Sequence, residues 1–339
     1  MKTHAGSVLA VVLMLVLVAP ATAGDYKPEY KLSIVVGPGS PWGELGQKFA
    51  DEVKAATQGR INIKCYFAGK LFAGIQTNEF MLLRQGVADF AVGSTINWSP
   101  QMKELNLFSL PFLFPNYKSV DAVKEGEVGK ALFAEIERAG VVCLGWGENG
   151  FREITNRVRP IVKPEDLHGL KIRAVGSPIF KDTFRAMGAN PVLMNWGDAQ
   201  TAFQQGTVDG QENPVNVVIV PYKIWQYHAY ITLWHYTIDP LILGVNKQVW
   251  EGFSAEDREI LKTAALNACA WEVEEARKGL TGDLSALKLL EENGMKVVEP
   301  TAEHLSAFKA VVKPVWDDWT PRIGEELVKK AVETVEANR

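Results

Sequence analysis

An α/β fold built from two linked domains is predicted by three observations. Short apolar strands alternate with amphipathic helices, an order that argues for a mostly parallel sheet with helices on its faces. The alternation restarts near Gly150, after one full set of strands and helices. The longest helical pattern, opening at Ser254, exceeds the length of one small domain and is expected to cross between two. At 339 residues, 47% apolar and 22% charged, the chain is long enough for two sizeable cores.

In order, Lys31–Val36 reads as a strand, followed by the turn Gly-Pro-Gly-Ser-Pro-Trp-Gly. Glu44–Thr57 has Leu45, Phe49 and Val53 on one helical face and Gly59 as its stop. Ile61–Phe67 alternates as a strand, Asn78–Gln85 is helical up to Gly86, and Asp89–Val92 is a short buried strand. Leu105–Phe114, punctuated by Pro111 and Pro115, is expected to be extended. Helices near Lys118–Lys124 and Val128–Ala139 precede the strand Val141–Trp146. In the second unit, Ile154–Arg157, Leu170–Val175, Pro191–Asn195 and Val208–Glu212 are strands, and Pro178–Met187 and Asp198–Gln205 helices. The aromatic stretch Tyr222–Tyr236 leads into a strand at Leu241–Asn246. Ser254 with Asp257 resembles a helix cap. The helix it opens is expected to run to about Glu292, loosened by Gly279 and Gly282.

The first residues carry an address. Met1-Lys2-Thr3-His4 is a short basic start, Val8–Val18 an apolar run, and Ala21-Thr22-Ala23 a small-residue cleavage pattern. Residues 1–23 are therefore expected to be a secretory signal peptide, too short to span a bilayer, and the mature protein periplasmic and soluble. A net charge of −4 without basic blocks excludes nucleic acid or a lipid surface as the evident partner. Cys65, Cys143 and Cys269 read as small buried hydrophobes. His168, His228, His235 and His304 lack metal-ligand spacing. Neither a P-loop nor a G-x-S-x-G or G-x-G-x-x-G motif is present. No cofactor and no metal are expected.

The segment "GLKIRAVGSPIF" (169–180) places Arg173 near the carboxyl end of a strand, where ligands bind in open α/β sheets. Ser177 can cap the helix that follows, and Pro178 suits its first position. An arginine fork and a helix N-terminus aimed at one spot make a carboxylate site. Equally, Arg173 can pair internally with Asp166, Glu165 or Asp182. "WGENGFREITN" (146–156) adds Arg152 at the start of the second unit, and "AFQQGTVDGQENPVN" (202–216) adds Asn213 at a strand's end. Two arginines and an amide, without a nucleophile–base pair, suit holding an anion rather than transforming one. Asp209 and Glu212 read as hydrogen-bond partners within the chain, Glu212 also as an acceptor for a ligand amine or hydroxyl. Ser40 and Trp42 in the first turn, Asn97 and Trp98, and Trp196 sit in loops that can face a ligand. Tryptophans there can accommodate an apolar or aromatic body behind the carboxylate.

The segments "PFLFPNYKSVDAVKEGEVGKAL", "GWGENGFREITN", "RPIVKPEDLHGLKIRAVGSPIF", "MGANPVLMNWGDAQTAFQQGTVDGQENP" and "ITLWHYTIDPLIL" resemble, in order, the solute-binding subunits of TRAP transporters (tripartite ATP-independent periplasmic transporters), the DctP family. The resemblance covers roughly residues 30–315. It implies a periplasmic-binding-protein clamshell of two α/β domains, joined by crossing strands and a long helix. It also implies that Arg173 is the main carboxylate ligand, with Arg152 and Asn213 beside it. The expected division is 24–150 plus 239–279 as the first domain and 151–238 plus 280–339 as the second. "NWGDAQTA" stands where many members have a Phe-Ser-Glu-Leu-Tyr type stretch, and the "GPGSPWG" loop also departs from the common pattern. A C4-dicarboxylate is therefore not the expected solute. An aromatic, keto, hydroxy or amino monocarboxylate is. The expected partners are that small carboxylate and, transiently, one small and one large membrane subunit, with the binding protein a monomer. A binding protein feeding a sensor or an ATP-driven importer is the rival within the fold. An exported enzyme acting on a small acid is the rival outside it, with Glu212 the one evident general base.

Overall fold

The computed structural model describes residues 26–339; the expected signal peptide lies outside them. Along the chain, β1 (Tyr30–Ile34), α1 (Pro41–Ala56), β2 (Ile63–Tyr66), α2 (Glu79–Arg84), β3 (Phe90–Ser94), α3 (Thr95–Trp98), α4 (Tyr117–Glu125), α5 (Glu127–Arg138) and β4 (Val141–Phe151) come first. Next are β5 (Glu153–Asn156), β6 (Lys171–Ala174), α6 (Pro178–Ala186), β7 (Asn190–Leu193), α7 (Trp196–Gln205), β8 (Gly210–Asn213), β9 (Tyr230–Thr232) and β10 (Ile238–Asn246). The remainder is α8 (Lys247–Glu251), α9 (Ala255–Arg277), α10 (Ser285–Glu292), β11 (Lys296–Val298), α11 (Ala302–Val311), α12 (Lys313–Ile323) and α13 (Glu325–Ala337).

Two mixed sheets result. The first has the order β2-β1-β3-β10-β4 and the second β11-β9-β5-β8-β6-β7. β1 pairs in parallel with β2 and β3, but β10 returns antiparallel between β3 and β4. In the second sheet β6 is parallel to β7 and β8, whereas β5 is antiparallel to β8 and β9. The long strands β4 and β10 run beside each other over their whole length, and each continues into the second sheet through β5 and β9. These paired strands carry the chain between the two sheets, and Arg152 stands where β4 gives way to β5.

Three elements differ from expectation. Leu105–Phe114 is not extended at its start: Lys103–Ser109 forms 3₁₀ turns, with Leu105, Leu107 and Phe108 fully buried. The helix from Ser254 does not reach Glu292. It ends at Arg277 because Lys278 leaves helical geometry and Gly279, Gly282 and Leu284 take positive φ, and α10 then starts afresh. The residues after 293, expected simply to complete the second domain, divide: β11 joins the second sheet, while α13 packs on α4 and α5 beside the first. α12 touches both sides, with Trp316 Nε1 donating to the Pro111 carbonyl at 2.9 Å and Trp319 Nε1 to Asp182 at 3.0 Å. An apolar cluster including Phe108, Phe180, Phe184, Trp234, Tyr236 and Phe308 runs beneath it. The cysteines are all free; Cys269 is fully buried, whereas Cys65 and Cys143 are only half-buried.

The start of α9 is pinned by charge. Ser254 caps it by accepting from the Asp257 amide, and Asp257 takes a bidentate pair from Arg60 at 2.9 and 2.7 Å. Those hydrogen bonds hold the Asp257 carboxyl down at about 2, against the opposing pull of burial. A depressed carboxylate pKa adds stability that is full above the unfolded value near 3.9 and is lost as pH falls toward 2. Asp257→Asn is expected to lower the melting temperature at neutral pH and to flatten the stability–pH curve between pH 4 and 2, measured by thermal unfolding across that range. An unchanged slope would remove this pair from the acid response.

Candidate functional site

A small, largely buried cleft lies between the two sheets. The space within it is small, which suits a compact occupant. From the first sheet come Val35 and Val36 after β1, Trp42 on α1, Ser94 and Asn97, joined by Gln76 and Asp239. Asn149 and Arg152 enter on the crossing strand, and Arg173, Val175, Trp196, Asn213 and Val218 from the second unit. The sides are tied together near the cavity: Gln76 Oε1 accepts from the Trp196 amide at 2.7 Å, and Ser99 and Ser177 share a 3.0 Å hydrogen bond.

The two arginines are equally buried, at 1% exposure, but opposite in company. Arg152 is fully compensated. Its guanidinium bonds both Glu212 oxygens, the Glu212 carbonyl at 2.8 Å and Asn213 Oδ1 at 2.9 Å, and reaches Asp239 at 3.5 Å. Burial works against its charge, yet the Glu212 carboxylate outweighs that and holds Arg152 above its ordinary range. Arg173 has no carboxylate partner among the described residues. Its Nε and Nη2 donate to one backbone carbonyl, that of Met194, at 3.2 and 2.8 Å, and its guanidinium lies 5.6 Å from the Trp196 ring. Burial pulls its pKa down to about 10. None of the three acids that could have paired with it does so: Asp166 accepts from the Val162 and Lys163 amides, Asp182 accepts from Trp319, and Glu165 is exposed to solvent. A buried guanidinium without a counter-charge is costly unless an anion supplies one.

The other expected site residues divide. Asn213, Asn97, Trp42 and Trp196 line the cavity. Trp98 does not: it is fully buried in the first unit, donates to Glu79 at 3.1 Å, and fills a slot over Gly93, where an added Cβ would lie 2.1 Å from the ring. Ser40 caps α1 through the Gly43 amide and is not part of the lining. Glu212 is engaged within the chain, both oxygens accepting from Arg152 and Oε2 also from the Tyr236 hydroxyl at 2.8 Å. Asp209 likewise accepts from Arg157 and from the Lys171 amide. The expected helix N-terminus is absent from the lining, for Ser177 makes no cap and turns instead to Ser99 and Asn106.

Gln76, Asn149 and Asp239 were not singled out from the sequence. Asp239 anchors the floor, accepting from Ser94 at 2.7 Å, Thr95 at 3.1 Å and Asn149 at 2.8 Å. Asn149 and Asp239 stand inside segments that carry the family resemblance, so position within those segments was the available signal. Among the described residues, no group of three or more His, Cys, Asp and Glu side chains is placed to hold a metal ion.

Two α/β units joined by crossing strands around a buried, polar-lined cleft define an extracytoplasmic binding protein of the clamshell type. The chain belongs to family 7 of the bacterial extracellular solute-binding proteins, the DctP family, whose model matches residues 32–322. It is similar to the C4-dicarboxylate-binding periplasmic protein DctP of Rhodobacter capsulatus, with 30% identity over 321 residues and 94% of each chain covered. The solved structure of a TRAP periplasmic solute-binding protein of Ralstonia eutropha H16, with bound (S)-2-acetolactate, is 53% identical with a TM-score of 0.91, covering 92% of this chain and 100% of that one. The sugar acid binding protein of Advenella mimigardefordensis, in complex with galactonate, is 29% identical with a TM-score of 0.85 over 92% and 98% of the two chains.

Proposed function

We propose that this TRAP solute-binding protein captures a short organic monocarboxylate between its two units and delivers it to a small and a large membrane subunit. The observation that carries this reading is Arg173, buried without a carboxylate partner while Arg152 beside it has Glu212 and Asp239. Among the four ionisable groups at the site, two cations face two anions, and only Arg173 lacks direct contact with one. A single ligand carboxylate supplies the partner that Arg173 lacks. The second carboxylate of a C4-dicarboxylate has no further unpaired cation in the lining to receive it. The bound (S)-2-acetolactate of the Ralstonia eutropha relative, a compact monocarboxylate, supports the same reading. The engagement of Glu212 within the chain argues for binding rather than turnover. A receptor role beside a sensor or an ATP-driven importer would use the same site, and the genes flanking this one separate the cases.

The domain division expected from the sequence is retained as part of the proposal, with α13 moved to the first domain. Because both units supply lining residues, an acid favours the closed population. In a thermal-shift screen of the mature protein against short organic acids, a ligand at a hundred times its dissociation constant is expected to add about 2.7 kcal/mol. The same ligand is expected to reduce the radius of gyration in small-angle scattering. An acid that stabilises the protein with an unchanged scattering profile would overturn closure but leave binding intact.

A further inference from the structure

Two polar atoms at the cavity are buried and have no hydrogen-bond partner: Asn149 Oδ1 and Trp196 Nε1. Their residues are 2% and 7% exposed. An unpaired buried polar atom is costly, and in a binding cleft its natural partner is the ligand. The orientation of Asn149 is fixed by chemistry. Asp239 is an acceptor when ionised, so the Asn149 atom 2.8 Å from it is the amide nitrogen, and the oxygen is the unpaired end. The same logic fixes the orientations of Gln76 and Asn97. The Trp196 amide donates to Gln76 Oε1, so Gln76 Nε2 donates to Asn97 Oδ1 at 2.7 Å, and Asn97 presents only donors. Arg173, Trp196 and Asn97 therefore offer donors around the cavity, and Asn149 adds one acceptor.

Resting on the monocarboxylate reading, we propose that Asn149 and Trp196 select the solute class. Asn149 Oδ1 accepts from a hydroxyl on the acid, and Trp196 Nε1 donates to an acceptor oxygen of the same molecule. The solute is then a short hydroxy acid with oxygen on its body, not an aliphatic, aromatic or amino acid. An ammonium in place of the hydroxyl would bring a third cation beside Arg152 and Arg173, with Glu212 and Asp239 already committed. The apolar walls, Val35, Val36, Val175 and Val218, suit methyl groups on the same carbon skeleton.

The test uses acids of one shape. 2-Hydroxyisobutyrate, 2-aminoisobutyrate and 2,2-dimethylpropanoate differ only in one substituent: hydroxyl, ammonium or methyl. Calorimetry on the wild-type protein is expected to favour the hydroxy acid about tenfold or more over each of the others, since the analogues leave Asn149 Oδ1 unpaired or add a charge. In Asn149→Ala the hydroxyl-over-methyl preference is expected to collapse toward unity. With (S)-2-acetolactate, which carries the same hydroxyl and a keto oxygen, Trp196→Phe retains the ring and is expected to weaken binding about five- to tenfold. The comparison among ligands on wild type needs no variant to fold. Equal binding of the three isosteres would overturn the assignment while leaving the monocarboxylate reading in place. Failure of every acid, (S)-2-acetolactate included, to bind would instead overturn the monocarboxylate reading itself.

Discussion

Arg173→Lys is expected to weaken binding of an organic acid about thirty-fold or more, the lower end of the ~2–5 kcal/mol lost when one partner of a buried charge pair is removed. Lysine keeps the charge but not the planar fork that gives two parallel hydrogen bonds to a carboxylate. The apo protein is expected to respond in the other direction. Arg173 donates to a single backbone carbonyl and has no counter-charge, and burial pulls its pKa down to about 10. For a base, a lowered folded-state pKa means that the charged form costs stability at every pH below that value, with relief only as pH rises through it. Arg173→Met removes that cost and is expected to leave the apo melting temperature unchanged or raised, while abolishing measurable affinity. The measurement is calorimetric affinity together with apo melting for wild type, Arg173→Lys and Arg173→Met. Near-wild-type affinity in both variants would remove Arg173 from the carboxylate site and leave Arg152 as its anchor.

Arg173, Arg152 and Asn213 were legible in sequence because each sits in a short motif at a strand's end, where α/β sheets place their ligands. Their relation was not. That Arg152 is saturated and Arg173 is not depends on Glu212, on the neighbouring strand β8, and on Asp239, which reaches the site on the return strand β10. Gln76, in a short 3₁₀ turn, and Asn149, within the crossing strand β4, were hidden for a similar reason: such polar residues become site residues only when the two units meet. Trp98 shows the opposite error. Its polar surroundings, Ser94 to Ser99, look like a loop tip, but Gly93 and Gly244 leave a slot in the first sheet that only a large flat ring fills. The parallel parts of each sheet followed from strand–helix alternation. The antiparallel strand β10 did not, because pairing direction over long separations leaves no local periodic mark.

The second large effect separates the two arginines. Glu212→Ala is expected to destabilise the apo protein by about 3–5 kcal/mol, the usual cost of stripping one partner from a buried ion pair. Arg152 would keep Asn213 and a long contact to Asp239 but lose both oxygens that now face its fork, and the Tyr236 hydroxyl would lose its acceptor. The destabilisation belongs to the uncompensated charge, not to the pair as such. Arg152→Met combined with Glu212→Leu is therefore expected to recover much of the loss, since well-packed apolar replacements of buried pairs are often neutral. Asp239 would still hold Ser94, Thr95 and Asn149 in that double variant. Denaturant unfolding of the wild type, Glu212→Ala and the double variant measures this. Were Glu212→Ala as stable as the wild type, the Arg152–Glu212 contact would be dispensable in the apo protein. Arg152 would then be as free as Arg173 to meet a second ligand carboxylate, and the preference for monocarboxylates would lose its electrostatic basis.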